Sequence, residues 1–207
     1  VVAAKAATVA EFLAQPKGTW CKITATLSNL KSDVYGNFDL VDETGSVYVY
    51  GLTTSFVAKN DKSFANLGLK EGDIVTVCGV KTSYKDSPQM KNVTVEKHIQ
   101  VAPVSVADFL AAPVAGDVYY SLTGTMANIV MDKADPTLQN AYGNFDIVDE
   151  SGSVYVYGLL SGWGGPKQMF RELNLVEGDK ITIVGVRADY KGTAQVGNAF
   201  FVKKIEE

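Results

Sequence analysis

The sequence predicts an all-β protein made of two similar five-stranded Greek-key barrels in tandem. The main observation is an eighteen-residue stretch that occurs twice, at 35–52 and 142–159, with sixteen identical positions. A second phrase, EGD followed by an apolar strand with a glycine, recurs at 71–80 and 177–186. Apolar and polar residues alternate in both halves, which is typical of antiparallel strands that bury one face.

The repeated stretch, YGNFD(L/I)VDE(T/S)GSVYVYGL, predicts a β-hairpin in each half. NFDLVD alternates with the period of two that a strand requires, and DETGS supplies a turn with a glycine where a positive φ is needed. In the strand that follows, Val47 and Val49 fall on one side and Tyr48 and Tyr50 on the other. The tyrosines are therefore expected on the outer face of a sheet.

Each half opens with a capped helical turn, TVAEFLA at 8–14 and SVADFLA at 105–111, in which Ser or Thr precedes an acidic residue at capping-box spacing. A long curled strand follows, and Gly124 in its second copy suits a sharp bend. After the hairpin come a short helix, the EGD strand and a second hairpin. That second hairpin is predicted to carry Tyr84 and Lys85, or Tyr190 and Lys191, near its tip.

The resulting order, β-β-β-α-β-β, is that of a five-stranded Greek-key barrel of the OB-fold type. Each barrel is predicted to have its short helix between the third and fourth strands. The predicted organisation is a disordered arm at 1–7, a first OB-fold domain at 8–98, a linker at 99–104 and a second OB-fold domain at 105–207.

The two halves differ in the loop between their first and second strands. This loop gains eight residues in the second half, within VMDKADPTLQNA at 130–141. In this architecture the loop borders the usual binding face, so the two domains are expected to bind differently.

Composition limits the function classes. The 207 residues carry a formal net charge of −4, with a pI of about 5.1, which argues against a strongly basic nucleic-acid surface. No run of about 18 apolar residues is present, so no transmembrane segment is predicted in this chain. Cys21 and Cys78 lie outside any CxxC or Cys/His cluster, which predicts free buried thiols and leaves a disulfide as the alternative.

The phrases FDLVDETGSVYVYG and EGDIVTVCGV...YKDSPQMKN, with their twins, resemble the nucleic-acid-binding OB-fold modules related to anticodon-binding domains and secreted bacterial nucleases. As a tandem pair the chain is similar to OB-fold proteins among cell-envelope lipoproteins of Bacteroides-type bacteria. The resemblance implies a cell-envelope or secreted, lipid-anchored location. Because the chain begins at Val1 rather than Met, we expect a preceding segment, and the compartment stays open.

The resemblance also implies a binding surface on the outer face of the second and third strands. Carried over to this chain, that surface contains Asp39, Tyr48 and Tyr50 in the first domain and Asp146, Tyr155 and Tyr157 in the second. Positive charge is expected from Lys31, Lys85 and Lys91 in the first domain and from Lys133, Arg187 and Lys191 in the second.

Several candidate residues have a structural alternative. The tyrosines could stack on bases or sugar rings, or could pack under the helix or against another domain. Asp39 suits sugar hydroxyls, with a solvated strand residue as the alternative. Trp163, in the glycine-rich SGWGGP, is either an exposed ligand anchor or a loop residue folded back onto a barrel end.

No catalytic motif is found. His98 is the single histidine, and the sequence contains no GxSxG, HExxH or phosphate-loop pattern. The sequence therefore predicts a non-enzymatic binding protein without cofactor or metal. Its expected partner is single-stranded DNA or RNA, and an oligosaccharide or a protein partner is the alternative.

Overall fold

The computed structural model describes residues 4–54 and 62–205 of the chain. The protein is all-β, with two compact units, 1–100 and 101–207. Helical structure is confined to short segments. None of the helices in the described ranges is long and apolar enough to cross a membrane.

In its described residues, 4–54 and 62–100, the first unit contains one helix, one 3₁₀ turn and six strands. Its elements are β1 (Lys5–Ala6), α1 (Val9–Ala14), β2 (Trp20–Ser32), β3 (Asn37–Asp42), β4 (Gly45–Thr53), the 3₁₀ turn Ser63–Leu67, β5 (Ile74–Tyr84) and β6 (Ser87–Ile99).

Five of these strands form a closed barrel. The order is β2-β3-β4-β6-β5, and β5 pairs back with β2, so the sheet has no free edge among these strands. Only β4 and β6 are parallel neighbours; the other pairs of the ring are antiparallel. The register slips beside Gly79, where an added Cβ would lie 2.7 Å from the Met90 side chain. The predicted glycine of the EGD strand thus sits where the strand coils tightly.

The barrel interior is filled by the alternate residues that the sequence pattern assigned to it. Along β2 the buried side chains are Cys21, Ile23, Ala25 and Leu27, and in β4 they include Val47 and Val49. The Phe64 ring, from the 3₁₀ turn, lies 6.2 Å from the Phe38 ring and covers one part of this core. Burial of these apolar groups is the main stabilising term.

The N-terminal helix is held by the turn of the repeated hairpin. Thr8 and Glu11 form the predicted capping box. In addition, the Val9 N–H donates to Asp42 Oδ2 at 2.8 Å, and the Ala10 N–H donates to the Thr44 hydroxyl at 2.9 Å. The acidic turn of the hairpin therefore satisfies helix donors that would otherwise lack partners.

The second unit repeats this series of elements with a longer loop. Its elements are β7 (Val101–Pro103), α2 (Val106–Ala111), β8 (Tyr119–Ala127), β9 (Phe145–Asp149), β10 (Gly152–Val156), β11 (Leu159–Leu160), the 3₁₀ turn Phe170–Leu173, β12 (Lys180–Tyr190) and β13 (Thr193–Lys204).

The strands of the second unit form one sheet with the order β10-β9-β8-β12-β13-β11. A short parallel pairing, Tyr155 with Gln195 and Val156 with Val196, also connects β10 to β13. The eight-residue insertion lies in the loop between β8 and β9. There Arg171 holds the loop, donating from Nε to the Gln139 carbonyl at 2.7 Å and from Nη2 to Asp132 at 2.5 Å.

Three sequence predictions need correction. The predicted disordered arm contains β1, which pairs in parallel with Cys21 and Lys22; residues 1–3 of that arm lie outside the described residues. The predicted linker contains β7, which pairs with Tyr119–Ser121 in the same manner, because its backbone finds donors and acceptors at that strand. The predicted short helices are single 3₁₀ turns, each ended by a left-handed residue, Gly68 or Asn174.

Candidate functional site

The outer face of β3 and β4 brings together three of the predicted site residues. Asp39 is the register partner of Tyr48, and Tyr50 follows two residues later on the same side. Because Val47 and Val49 are buried in the barrel, the two tyrosines project outwards. Tyr50 is 52% exposed, and Tyr48 is half-buried. Burial raises the pKa of Tyr48, with further contributions from Tyr50 and Asp39, so its hydroxyl stays protonated at neutral pH.

A lysine lies over each of these rings. The Lys31 Nζ is 5.0 Å from the centre of the Tyr48 ring, and the Lys91 Nζ is 5.5 Å from the centre of the Tyr50 ring. Lys91 reaches this position because it is the register partner of Tyr50 in the parallel pair of β4 with β6. Cations within about 6 Å of a ring centre are attracted by its negative face. The face is therefore both aromatic and positively charged.

The second hairpin of the first unit extends the same side of the sheet. Tyr48 pairs with Gln89, Gln89 pairs with Thr82, and Tyr84 follows two residues after Thr82. Since side chains alternate along a strand, Tyr84 projects on the side that carries Tyr48. Tyr84 is exposed, and the Lys85 Nζ lies 5.5 Å from its ring centre.

Sequence reasoning missed one further tyrosine–lysine pair in the first unit. The Lys62 Nζ lies 6.0 Å from the centre of the Tyr35 ring, and Tyr35 is exposed in the turn before β3. The signal was available for the tyrosine, since Tyr35 begins the repeated stretch. No such signal existed for Lys62, because it follows β4 in the chain and its position next to Tyr35 depends on the tertiary fold.

The predicted ligand-binding aspartates have partners within the chain. Asn29 Nδ2 donates to Asp39 Oδ2 at 2.7 Å, and Asn128 Nδ2 donates to Asp146 Oδ2 at 2.8 Å. Both asparagines adopt left-handed backbone conformations, with φ of 50° and 52°. This conformation is one that asparagine tolerates better than most residues. These bonds could not be predicted from the sequence, because each joins residues on the two sides of a loop.

A glutamate of the EGD phrase fixes the same strand end. The Leu30 N–H donates to Glu71 Oε1. In the second unit the Asn128 N–H donates to Glu177 Oε1 at 2.7 Å and the Ile129 N–H donates to Glu177 Oε2 at 3.1 Å. We call this arrangement, comprising the Asn–Asp bond and the glutamate, the strand-end clamp.

The second unit keeps the tyrosines but not the lysines. Tyr155 pairs with Asp146, and Tyr157, 63% exposed, follows the end of β10. Burial raises the pKa of Tyr155, and the Asp146 and Tyr157 charges add to the shift, while a hydrogen bond with Asn144 opposes it. By the register of the repeats, Val130 and Gly197 stand at the positions of the two lysines that cover Tyr48 and Tyr50.

The formal charge is divided unequally between the units. Residues 1–100 contain 11 Lys or Arg and 10 Asp or Glu, whereas residues 101–207 contain 8 and 13. The formal charges are therefore +1 and −5, which together give the −4 of the whole chain. The acidic composition that argued against a nucleic-acid surface is a property of the second unit alone.

The β12–β13 hairpin extends the side that carries Tyr155, because Tyr155 pairs with Gln195 and Gln195 pairs with Ala188, two residues before Tyr190. Tyr190 and Lys191 form the tip of the β12–β13 hairpin, with the Lys191 Nζ 5.3 Å from the Tyr190 ring centre. The Trp163 ring packs edge-on against Tyr119 at 5.4 Å and Phe200 at 5.6 Å. Trp163 thus takes the packed position that the sequence offered as the alternative to a ligand anchor.

Reactive groups are few in the described part of the chain. Cys21 and Cys78 are buried and free, as predicted, and burial raises the pKa of both thiols, which makes them unreactive. Within residues 4–54 and 62–205, no group of three or more His, Cys, Asp or Glu side chains could hold a metal ion.

No protein-family model matches the chain, and no curated protein matches it. Similar solved structures include a murine DNA-binding protein bound to double-stranded DNA, with 14% identity and a TM-score of 0.37 over 90% of this chain and 96% of that chain. A replication protein A heterotrimer bound to single-stranded DNA aligns with 9% identity and a TM-score of 0.34 over 99% of this chain and 69% of that chain. The p204 HINb domain aligns with 11% identity and a TM-score of 0.33 over 86% and 91%. At such identities and TM-scores, the ligand of the present chain is inferred from its own side chains.

Proposed function

We propose that this chain is a non-enzymatic binding protein for single-stranded nucleic acid, which it contacts through the outer face of β3 and β4. The observation that carries the proposal is the pairing of each tyrosine on that face with a lysine, Lys31 with Tyr48 and Lys91 with Tyr50. Sequence-tolerant single-strand binders combine the same two elements, aromatic rings for the bases and cations for the phosphates.

The spacing of the tyrosines favours a single strand over a duplex. Residues two apart on one strand are separated by about 7 Å. Bases in duplex DNA follow each other at 3.4 Å along a strand, so two adjacent bases can meet Tyr48 and Tyr50 only if they are unstacked from each other. Each stacked base contributes roughly 1–3 kcal/mol to the binding free energy. The lysines add an electrostatic contribution, which decreases as the salt concentration rises.

The first unit is proposed as the principal site. The sequence predicted a binding face in both barrels, but the second unit has Val130 and Gly197 at the two lysine positions and a formal charge of −5. Asp39 accepts a hydrogen bond from Asn29, so we assign it a role in shaping the face rather than in contacting the strand.

The second unit is proposed as a second barrel of the same OB type. Its strands pair in the same order as those of the first unit, and the short β10–β13 pairing stands where β4 pairs with β6. The resemblance to envelope lipoproteins stays a prediction, since it rests on the sequence phrases alone.

The test is the fluorescence anisotropy of a labelled dT oligomer of about 16 nucleotides, a length within the range that one OB fold covers. Wild-type protein is expected to bind at low salt and much more weakly at about 200 mM salt. The Tyr48→Ala, Tyr50→Ala double variant should lose at least about 30-fold in affinity, from two stacking contacts of about 1 kcal/mol each. The repeat supplies a matched control, Tyr155→Ala with Tyr157→Ala, which should change affinity little.

Three outcomes would contradict the proposal. One is absence of binding at low salt, where electrostatic attraction is strongest. Another is equal loss in the two double variants. The third is binding of a neutral oligosaccharide that persists at high salt and depends on Tyr48 and Tyr50, which would favour the oligosaccharide alternative. Circular dichroism of each variant checks that the fold is retained.

A further inference from the structure

The second unit contains a cavity that has no assigned role. Its volume is about 580 Å³, and its lining includes Tyr157, Lys167, Arg187, Gln195 and Gly197. Leucine, valine and alanine side chains form most of the apolar part of the wall. Small-molecule sites have volumes of about 300–1,000 Å³ and combine mostly apolar walls with a few placed polar groups. The cavity matches that description.

Two differences between the repeats occur at this cavity. Gly197 stands at the position of Lys91, so no side chain covers Tyr157 in the way that Lys91 covers Tyr50. Arg187 stands at the position of Lys81, whose ammonium in the first unit donates to two carbonyls at the end of α1. Two residues of this site therefore differ from those at the same positions of the first unit.

The Arg187 guanidinium is only partly engaged. One of its terminal nitrogens, Nη1, donates to the Ala188 carbonyl. The Nε atom is buried and has no hydrogen-bond partner in the described part of the chain. Most buried polar groups in native proteins are hydrogen-bonded. Arg187 lines the cavity, and its guanidinium keeps donor capacity that no acceptor in the described residues uses.

The charges of the lining indicate what kind of ligand. Lys167 and Arg187 are positive and Asp189 is negative, which leaves one net positive charge. Asp189 is already committed, because its Oδ1 accepts from the Gly192 N–H at 2.8 Å in the hairpin turn. A guanidinium is a planar, permanently charged donor, whose N–H groups match the oxygens of a carboxylate better than an ammonium does. The overall charge of −5 in this unit disfavours a polyanion.

We propose that this cavity binds a small organic monoanion, with a carboxylate on Arg187 and an aromatic or apolar body against Tyr157. The site is independent of the single-strand face of the first unit. Failure of either proposal leaves the other intact, because they involve different units and different ligands.

The experiment is an NMR titration of the full chain with 2-naphthoate, followed at the backbone amides of Gly158 and Gly197. Wild-type protein should show saturable shifts with a Kd of about 1 mM or lower. Arg187→Gln should weaken binding at least about tenfold, because the fork is lost. Arg187→Lys, which reproduces the residue of the first unit, should also weaken it, since an ammonium lacks the planar fork. Lys203→Gln, which removes one charge outside the cavity lining, is the matched control and should leave binding unchanged.

Two further probes test the ligand class. Neutral 2-naphthamide should bind at least about tenfold more weakly than 2-naphthoate, because it lacks the charge. A 2-naphthyl phosphate that binds more tightly than the carboxylate would overturn the carboxylate assignment. The whole proposal is overturned if 2-naphthoate causes no shifts at these amides, if naphthamide binds equally well, or if Arg187→Gln binds like the wild type. Retained amide dispersion in each variant shows that folding is intact.

Discussion

His98 Nε2 lies 2.8 Å from Oδ2 of Asp73, a residue that is only 1% exposed. Asp73 belongs to the first EGD phrase, and its carboxylate also accepts the Lys70 N–H at 2.9 Å. The second unit uses a lysine in the same place, since the Lys204 Nζ lies 2.7 Å from Asp179 Oδ1. In both units a basic side chain near the end of the last strand thus meets the turn that precedes β5 or β12.

His98→Ala is expected to lower the free energy of unfolding by about 1–3 kcal/mol, because a nearly buried carboxylate loses a hydrogen-bond partner. Urea denaturation at neutral pH measures this change. Lys97→Ala, at the exposed neighbouring position, is the control and should stay within about 0.5 kcal/mol of the wild type. Equal midpoints for His98→Ala and wild type would contradict the assigned role.

Gly124→Ala is expected to destabilise the second unit by more than about 2 kcal/mol. A Cβ at this position would lie 2.5 Å from the Val148 carbonyl oxygen and 2.9 Å from the Ile147 side chain. Moving a backbone carbonyl of a paired strand would disturb the strand pairing and so cost free energy. Gly116→Ala is the matched control, because no heavy atom lies within 4 Å of the added Cβ. Thermal unfolding of the two variants should separate them clearly; a similar loss in both would exclude the steric explanation.

Asp149→Asn is expected to remove a pH-dependent part of the stability. Burial favours a higher pKa for Asp149, but donors from Ser151, Val106 and Gly152 outweigh it and lower the pKa below 3.8. Because the folded-state pKa lies below the unfolded one, of about 3.9, the stabilisation is complete above that pH. It is lost as the pH falls through the folded-state pKa.

Urea unfolding between neutral pH and about pH 2 tests this expectation. Wild type should exceed Asp149→Asn in stability at neutral pH, and the difference should shrink below about pH 4. Glu150→Gln, at the exposed neighbouring position, should show no such convergence. A stability difference for Asp149→Asn that stays constant with pH would contradict the prediction.

Lys31→Gln with Lys91→Gln is expected to reduce the salt dependence of oligonucleotide binding. Each neutralised phosphate contributes about 0.7 to the slope of log K against log salt for a single strand, so the slope should fall by about 1.4. The double variant Lys180→Gln with Lys203→Gln changes the net charge equally but leaves the first unit intact, and its slope should match the wild type. If both double variants lower the slope equally, the effect is one of net charge rather than of this face.

The outer face could be predicted from sequence because it follows from local alternation. Val47 and Val49 point inwards and Tyr48 and Tyr50 outwards, and Lys31 and Lys91, named from the sequence as sources of charge, lie over these rings. A period of two fixes the face of each residue without any knowledge of the tertiary fold.

Contacts that depend on strand register could not be predicted in this way. Asp73 and His98 are 25 residues apart and meet because β5 and β6 pair with Val75 opposite His98. The two-residue strand β1 was missed for a related reason, since its short sequence has no pattern of its own. It pairs with Cys21 and Lys22, which precede the part of β2 that pairs with β3.

Prediction of the cavity in the second unit would have required both the sequence pattern and the strand register. Arg187 was expected to supply charge. The burial of its Nε could not be predicted, because it depends on how the folded hairpin places the guanidinium beside Ala188. Gly197 reads in the sequence as a small residue in a strand. Only the strand register shows that Gly197 occupies the position of Lys91, and that this position therefore has no side chain to cover Tyr157.

The strand-end clamp is present in both units although the loops that follow it differ in length. Asn29 and Asn128 make equivalent hydrogen bonds, to Asp39 and Asp146, although the loop that follows is eight residues longer in the second unit. A segment between 130 and 141 can therefore be exchanged in the manner of a hypervariable loop on a constant scaffold. The duplicated chain thus has a position at which the length of a loop changes while the hydrogen bond at the strand end is kept.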